Sequence, residues 1–300
     1  MTPTTTRSGL VALAGRPNVG KSTLVNAIVG RKVAIVSDKP QTTRRAIRGV
    51  ATDAGRQLVL VDLPGVQRPL DALTARMQRR VEAELAGSDA ALMVVDGEQG
   101  IGPGDRFIAA ALRAAGVPVV VAVNKVDRLE RGGRGRLLQA LQAAAELEVG
   151  DEVFPVSART GVGVPALVDQ LASLLPEGPF LFPAGEASDQ AERVLLAELV
   201  REQILRRTFQ EVPHAVEVVV DDVERGRGET TIVRALAWVE TESQKGILIG
   251  RGGRMVKAIG TAARRELERE LGGPVHLDLA VRVRRGWRGD ERALDRLGIE

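Results

Sequence analysis

The chain has 300 residues, of which 44% are hydrophobic and 27% charged, and it contains no cysteine. This composition is typical of a globular protein with one large domain or two domains, and it excludes disulfides and thiolate metal sites. The net charge is only +3, but residues 244–288 hold eleven basic and four acidic side chains, which indicates an anionic polymer or surface as a partner.

The N-terminal residues carry no targeting pattern. Met1–Ser8 is polar and lacks the apolar segment of a secretory signal, so we expect a flexible tail over residues 1–8. No apolar run in the chain approaches the roughly 20 residues needed to span a bilayer. We therefore expect a cytoplasmic protein.

Apolar strand patterns alternate with helical patterns from residue 9 to residue 175. Strands are predicted near 10–14, 46–52, 57–62, 90–96, 117–123 and 153–156, and helices near 21–29, 71–86, 104–115, 134–148 and 164–174. This alternation predicts an α/β domain with a mostly parallel sheet and helices on both faces. Ligands of such folds bind at the carboxyl ends of the strands.

The first predicted strand is followed by a phosphate-binding pattern. Residues 15–22 fit G-x-x-x-x-G-K-[ST] and lie between a strand and a helix, as a P-loop requires. Its backbone N–H groups would cradle phosphates, Lys21 would neutralise them and the Ser22 hydroxyl would bind Mg²⁺. The predicted phosphate-binding residues are Gly15, Arg16, Pro17, Asn18, Val19, Gly20, Lys21, Ser22 and Thr23.

The strand near 57–62 ends in Asp62-Leu63-Pro64-Gly65. A carboxylate at this strand end can hold Mg²⁺, and the Gly65 N–H is placed to meet a γ-phosphate and to sense its loss. The motif by itself is a common turn, but its position one strand after a P-loop favours the nucleotide function.

Two further motifs predict the base. Asn124-Lys125-Val126-Asp127 follows the strand near 117–123, and the Asp127 carboxylate can accept hydrogen bonds from guanine N1–H and N2. Asn124 and Lys125 would brace the loop and cover the base. Ser157-Ala158-Arg159 would supply a backbone N–H for the guanine carbonyl. The sequence therefore predicts a guanine nucleotide, GTP or GDP.

A proline-rich stretch ends this pattern, and we interpret residues 176–188 as a linker between a nucleotide domain (9–175) and a second domain (189–300). The second domain has an α+β pattern with helices near 189–208 and 254–271, and strands near 214–220, 230–240 and 275–283. No internal repeat relates the two domains.

Gly250-Arg251-Gly252-Gly253 precedes the charged helix of the second domain. G-x-x-G is weak evidence alone, but an apolar entry, a basic exit and an α-β-β-α-β order favour the type II KH domain, in which bare glycine backbone lets RNA approach. Trp287 is interpreted as a packing residue, with base stacking as the alternative. The predicted RNA-binding residues are Lys245, Gly250, Arg251, Gly252, Gly253, Arg254 and Lys257.

The nucleotide motifs resemble the translation-factor-related GTPases, and residues 15–22 with Gln41-Thr42-Thr43-Arg44 resemble the Era-like subfamily. The resemblance covers about residues 8–298. It implies that Thr43, or alternatively Thr42, is the switch I ligand of Mg²⁺, and it suggests a potassium ion beside Asn18. It also implies an apolar residue at position 66, so that hydrolysis is slow. The implied catalytic residues are Lys21, Asn18, Thr43 and Gly65.

One residue departs from the family pattern: Leu63 stands where Thr is usual, which leaves a main-chain role intact. The resemblance implies a monomeric switch that binds the 3′ region of 16S ribosomal RNA, assists 30S subunit biogenesis and in some members associates peripherally with the inner membrane. GTP and Mg²⁺ are expected to order residues 36–45 and 62–80 and so reposition the second domain. The alternatives are a C-terminal module that binds protein or membrane, a double-GTPase ribosome factor, which the single P-loop disfavours, and a non-hydrolysing RNA clamp.

Overall fold

The computed structural model describes residues 6–39, 41–53, 55–65, 71–129, 134–226 and 228–299. Two units emerge from the packing. The first comprises residues up to 189 apart from two short segments, and the second comprises residues 190–300 together with those segments, 35–42 and 71–73. Both segments lie within the region that the sequence assigned to the nucleotide domain.

The first unit contains a six-stranded sheet in the order β2-β3-β1-β4-β5-β6. Only β2 runs antiparallel to its neighbour, β3; the other pairs are parallel. The expectation of a mostly parallel sheet is thus confirmed. The strands are β1 (Arg7–Ala14), β2 (Ile47–Thr52), β3 (Arg56–Asp62), β4 (Ala90–Asp96), β5 (Val119–Asn124) and β6 (Val153–Pro155).

Helices cover both faces of this sheet. Successive residues of β1 point to opposite faces, so Val11 and Leu13 join one apolar cluster, whereas Ala12 and Ala14 join the other. Strands buried on both faces need continuous apolar runs, which explains the fully buried β4. The helices are α1 (Lys21–Val29), α2 (Ala72–Ala86), α3 (Pro103–Ala115), α4 (Val126–Leu129), α5 (Arg134–Ala145) and α6 (Val164–Leu174).

The second unit contains a three-stranded sheet, in which β8 pairs antiparallel with β7 and parallel with β9. Helices α7 and α10 contribute Leu199, Ala263 and Leu267 to one apolar cluster with the sheet. The elements are α7 (Glu192–Leu205), α8 (Val212–Ala215), β7 (Glu217–Arg225), β8 (Thr231–Val239), α9 (Glu242–Ile249), α10 (Arg254–Leu271), β9 (Val275–Val283) and α11 (Glu291–Arg296). None of the helices among the described residues has the length and apolarity to cross a membrane.

The prediction of a flexible tail over residues 1–8 is wrong for Arg7 and Ser8, and residues 1–5 lie outside the described residues. Arg7 and Ser8 belong to β1, because the Arg7 N–H donates to Gly55 O at 3.0 Å and the Ser8 N–H donates to Pro176 O at 3.2 Å. Polar composition concealed this pairing, which satisfies backbone N–H groups and leaves Ser8 buried.

The predicted linker 176–188 is part of the first unit, where hydrogen bonds hold it to the sheet. The buried Gln57 amide accepts from the N–H groups of Leu181 and Phe182 at 2.8 and 2.9 Å and donates to Phe182 O at 2.9 Å. The Val50 N–H donates to Ala187 O at 2.8 Å. Proline prevents this stretch from forming a helix, but its carbonyl groups still accept hydrogen bonds.

Two local predictions for the second unit also change. The apolar run before the G-x-x-G loop is part of α9, which begins at a capping box formed by Thr241 and Gln244. Strand β7 begins at Glu217, because residues 212–215 form the short helix α8 with Pro213 in its first turn. Trp287 is fully buried and donates to Ala215 O at 2.9 Å, so it packs rather than stacks on a base.

Candidate nucleotide site and nucleic-acid interface

The loop between β1 and α1 has the backbone that a phosphate cradle requires. Gly20 has φ of +100°, a left-handed conformation that favours glycine, and a Cβ there would collide with the Asn124 amide. A Cβ on Gly15 would meet the carbonyl of Val94. Helix α1 begins directly after Gly20, so its N-terminal N–H groups face the loop.

Lys21 lies inside this loop. Its Nζ donates to the carbonyls of Gly15 and Arg16 at 2.9 and 3.2 Å, and only 6% of the residue is exposed. Burial lowers the pKa of Lys21 to about 8, although the Asp62 carboxylate acts in the opposite direction. The backbone carbonyls of the P-loop therefore hold the ammonium group in place.

Three oxygen-bearing side chains converge beside Lys21. Ser22 Oγ lies 2.6 Å from Asp62 Oδ2 and 3.1 Å from Thr43 Oγ1, and Thr43 Oγ1 lies 3.2 Å from the same carboxylate oxygen. Burial raises the pKa of Asp62, whereas Lys21 and the two hydroxyls lower it. The elements α1, β3 and the segment before β2 thus bring together the predicted metal residues.

This oxygen cluster fits Mg²⁺. Hydroxyl and carboxylate oxygens are the ligands that Mg²⁺ prefers, and it usually keeps several waters and phosphate oxygens as further ligands. Asp62 Oδ1 is buried and has no hydrogen-bond partner among the described residues, which is expected where a cation or its water completes the site. Thr42, the alternative ligand, instead donates its hydroxyl to Lys39 O at 2.6 Å.

The Asp62-Leu63-Pro64-Gly65 turn approaches the P-loop closely. A Cβ on Gly65 would lie 2.9 Å from Pro17 Cγ, tighter than packing allows, so a glycine is needed here. The Leu63 side chain is fully buried, in agreement with a role for its main chain only. The residues that follow, Val66, Gln67 and Arg68, lie outside the described residues.

Asn124, at the end of β5, ties together the loops that the sequence assigned to the base. Its Nδ2 donates to Val19 O in the P-loop at 2.8 Å, and its Oδ1 accepts from the N–H groups of Lys125 and Ala158 at 2.8 and 3.0 Å. Asn124 therefore connects these loops, and the Ala158 N–H that donates to it belongs to the motif expected at the guanine carbonyl.

Asp127 and Lys125 have partners that fix their side chains. Ser157 Oγ donates to Asp127 Oδ1 at 2.7 Å, while Lys125 Nζ donates to Asn18 O at 2.8 Å and to Asp96 Oδ2 at 2.6 Å. Arg159 follows Ala158 in an exposed position. Sequence reasoning missed Asp96, although a carboxylate at the end of strand β4 is the same signal that identified Asp62.

The G-x-x-G loop is built from left-handed glycines. Gly250, Gly252 and Gly253 have φ values of +69°, +59° and +74°, and Arg251–Gly253 forms one 3₁₀ turn between α9 and α10. No heavy atom would lie within 4 Å of a Cβ on Gly252 or Gly253, so the loop has an open face where a nucleic-acid backbone can approach.

Basic side chains continue from this loop along α10. A shallow cleft of about 390 Å³ is lined by two predicted RNA residues, Arg254 and Lys257, and by Arg207, Thr261 and Arg265. Lys245 lies on α9, with its Nζ 3.9 Å from Glu242. Arg207 and Arg265 were not predicted as RNA-binding residues. Helical spacing does place Arg265 on the same face as residues 254, 257 and 261, but in the sequence alone it cannot be told from other surface charges.

Comparison with known proteins agrees with both units. Residues 10–125 match the family described as 50S ribosome-binding GTPase, and residues 211–288 match the KH domain. GTPase Era of Mycobacterium bovis (strain BCG / Pasteur 1173P2) and that of Mycobacterium tuberculosis (strain ATCC 25177 / H37Ra) are each 45% identical over 298 residues, which cover 97% of this chain and 98% of the relative.

This chain belongs to the Era GTPase family. Its fold agrees with solved structures of that family at a TM-score of 0.93 and 34% identity, covering 98% of this chain and 99% of the other. One is a variant of Aquifex aeolicus Era bound to GDP and AlF4⁻, and the other is Era in complex with MgGDPNP and nucleotides 1506–1542 of 16S ribosomal RNA. The prediction of a GTPase followed by a KH domain is confirmed.

Proposed function

We propose that this chain is a GTP-dependent switch that binds the 3′ region of 16S ribosomal RNA and assists 30S subunit biogenesis. The observation that carries this proposal is the open, left-handed G-x-x-G loop with Arg251 and Arg254 at its edges. Its counterpart in the similar Era structure belongs to a protein bound to nucleotides 1506–1542 of that RNA. Arginine side chains supply phosphate contacts, and the glycines allow close approach of the backbone.

Hydrolysis in this site relies on positioned charge. Bound Mg²⁺ would neutralise charge on the β- and γ-phosphates, with Ser22, Thr43 and Asp62 as its nearest side chains. Lys21 is held at the phosphate position by two carbonyls. The Gly65 N–H is the group that meets the γ-phosphate. We expect turnover to be slow, because these charges stabilise the transition state but do not orient the attacking water.

We expect RNA affinity to depend on the nucleotide. An RNA that mimics the small-subunit 3′ end should bind about tenfold more tightly when the protein holds a non-hydrolysable GTP analogue than when it holds GDP, within the usual range of coupling between two sites. Fluorescence anisotropy at fixed salt measures this ratio. The salt concentration is held constant because phosphate contacts make every RNA affinity strongly salt-dependent.

The same titration distinguishes the alternative function, a C-terminal module that binds protein or membrane. Equal RNA affinity in both nucleotide states contradicts the switch but retains RNA binding. Absence of RNA binding in both states contradicts the RNA proposal, and sedimentation with anionic vesicles then tests peripheral attachment to the cytoplasmic face of the inner membrane. We propose that the protein is a cytoplasmic monomer. Light scattering of the purified chain measures its molar mass and so tests the monomeric state.

Potassium is the second proposed cofactor. Asn18 has φ of +65° and lies beside the phosphate cradle, with its carbonyl bonded to Lys125 Nζ. We expect GTP turnover to be about tenfold faster in K⁺ than in Na⁺, a barrier difference of about 1.4 kcal/mol. In Asn18→Gly, which tolerates the same backbone but lacks the amide, this difference should disappear. Equal turnover in the two salts with the unmodified protein would contradict the proposal.

A further inference from the structure

The segment that carries the start of switch I packs with the second unit. Residues 35–42 belong to that unit rather than to the nucleotide domain that contains their neighbours in sequence. Ile35 is 1% exposed and joins the apolar cluster formed with α7, α10 and the three-stranded sheet. One end of the segment is therefore anchored by burial of an apolar side chain.

Polar contacts anchor the rest of the segment. The Val36 N–H donates to Glu202 Oε1 at 3.0 Å, and Glu202, on α7, is fully buried. Lys39 Nζ lies 4.6 Å from the centre of the Phe209 ring, a cation–π contact at the surface.

Arg201 binds the last residue of this segment, Thr42. This fully buried side chain on α7 donates from Nη2 to Thr42 O and to Glu198 Oε2, the latter at 2.7 Å, and its Nε lies 3.6 Å from Glu217 Oε1. Two buried carboxylates thus hold the guanidinium in place. Its planar guanidinium holds Nη2 at the switch carbonyl and Nε between the carboxylates in one rigid geometry, whereas a lysine would bring a single ammonium group on a flexible chain.

The carbonyl that Arg201 holds belongs to the peptide plane between Thr42 and Thr43. That plane is rigid, so fixing the oxygen also fixes the direction in which the chain enters Thr43. The Thr43 hydroxyl lies 3.1 Å from Ser22 Oγ and 3.2 Å from Asp62 Oδ2, where Mg²⁺ would bind. We propose that Arg201 is a positioning residue, which holds the Thr42–Thr43 peptide so that Thr43 faces the metal site in the GTP-bound protein.

This positioning role predicts that a substitution at Arg201 weakens binding of a GTP analogue more than binding of GDP. Arg201→Lys retains the positive charge between Glu198 and Glu217 but loses the planar guanidinium. Affinity for a non-hydrolysable GTP analogue in Mg²⁺ should fall about tenfold, the scale of one charge-assisted hydrogen bond, whereas GDP affinity should change less than twofold. With EDTA in place of Mg²⁺, the tenfold deficit should vanish, because Thr43 contributes through the metal.

Two readouts separate positioning from a general structural defect. Hydrogen–deuterium exchange of the full-length variant should increase in residues 35–43 and not in α10. In a Thr43→Ala background, Arg201→Lys should have no further effect on GTP-analogue affinity, since the side chain that it positions has been removed. Arg193→Lys is the matched control, because this exposed residue near the start of α7 donates to Asp221 O and pairs with the Asp222 carboxylate at the surface.

Phe209→Ala provides a second test if the buried substitution prevents folding. Phe209 is 66% exposed, so its removal leaves the core intact while removing the cation–π contact of Lys39. It should produce the same pattern at a smaller scale, about threefold. Equal losses of GDP and GTP-analogue affinity, a deficit that persists in EDTA, or full additivity with Thr43→Ala would each overturn the proposal.

Discussion

Asp127→Asn should lower the affinity for GTP by roughly 10³-fold and create a site for xanthosine triphosphate. The substitution replaces an acceptor with an amide, so two charge-assisted hydrogen bonds to guanine, each worth about 2 kcal/mol, are lost. Ser157 Oγ donates to Asp127 Oδ1 at 2.7 Å. The asparagine oxygen can take over that bond, which directs its NH₂ group to the base, where xanthine offers a carbonyl oxygen. Competition binding with a fluorescent guanine nucleotide measures both affinities.

The matched control for this change is Asp151→Asn, which makes the same substitution at an exposed position before β6. It should leave both affinities unchanged. If Asp127→Asn weakened GTP without gaining xanthosine triphosphate, a general loss of structure in the loop would explain the result better than base recognition. A GTP affinity that stayed within threefold of the original would show that Asp127 does not contact the base.

Gly253→Asp should weaken RNA binding by at least about 30-fold. A carboxylate at this position lies where a phosphate of the RNA backbone approaches, and repulsion between like charges at about 4 Å is worth about 2 kcal/mol or more near a protein surface. Gly253 has φ of +74°, so the aspartate also carries local strain, but no heavy atom lies within 4 Å of the new Cβ and the domain should remain folded. Anisotropy titrations against salt concentration measure the effect.

Gly272→Asp is a control with the same strain and the same charge. Gly272 has φ of +69° and equally open surroundings, but it lies at the other end of α10, about 28 Å from Gly253. It should bind RNA with nearly unchanged affinity, and GTP turnover should be the same in both variants. If neither variant lost RNA affinity, a role for the G-x-x-G loop would be contradicted. If both lost it equally, the effect would be assigned to strain or net charge.

The nucleotide site could be predicted because its residues follow strands of one parallel sheet. Each of the four motifs lies at the end of a predicted strand, and the carboxyl ends of parallel strands meet at one edge of the sheet. The motifs are Gly15–Ser22, Asp62–Gly65, Asn124–Asp127 and Ser157–Arg159. Short motifs with defined backbone chemistry also predicted the KH loop. Local sequence was sufficient wherever the function needed consecutive residues in one turn.

The internal geometry of the site needed the tertiary structure. The sequence predicted that Lys125 covers the guanine base. It did not predict the ion pair of Lys125 with Asp96, 29 residues earlier, because the only sequence feature of Asp96 is its position at the end of a strand. Residues 176–188 were interpreted from the sequence as a linker, whereas in the structure they are hydrogen-bonded to Gln57, more than 120 residues earlier in the chain. Contacts of this kind depend on which side chains the fold brings together.

The sequence by itself determined the fold class, the order of the two domains, the guanine nucleotide and the glycine loop for RNA, because each is encoded by periodicity or by a short motif. Only the tertiary structure decided that residues 35–42 belong to the second unit and that Arg201, 159 residues from Thr42, holds the entry to Thr43. The physical reason is that a buried arginine is specified by the carboxylates and the carbonyl around it, and those partners become neighbours only when the chain has folded.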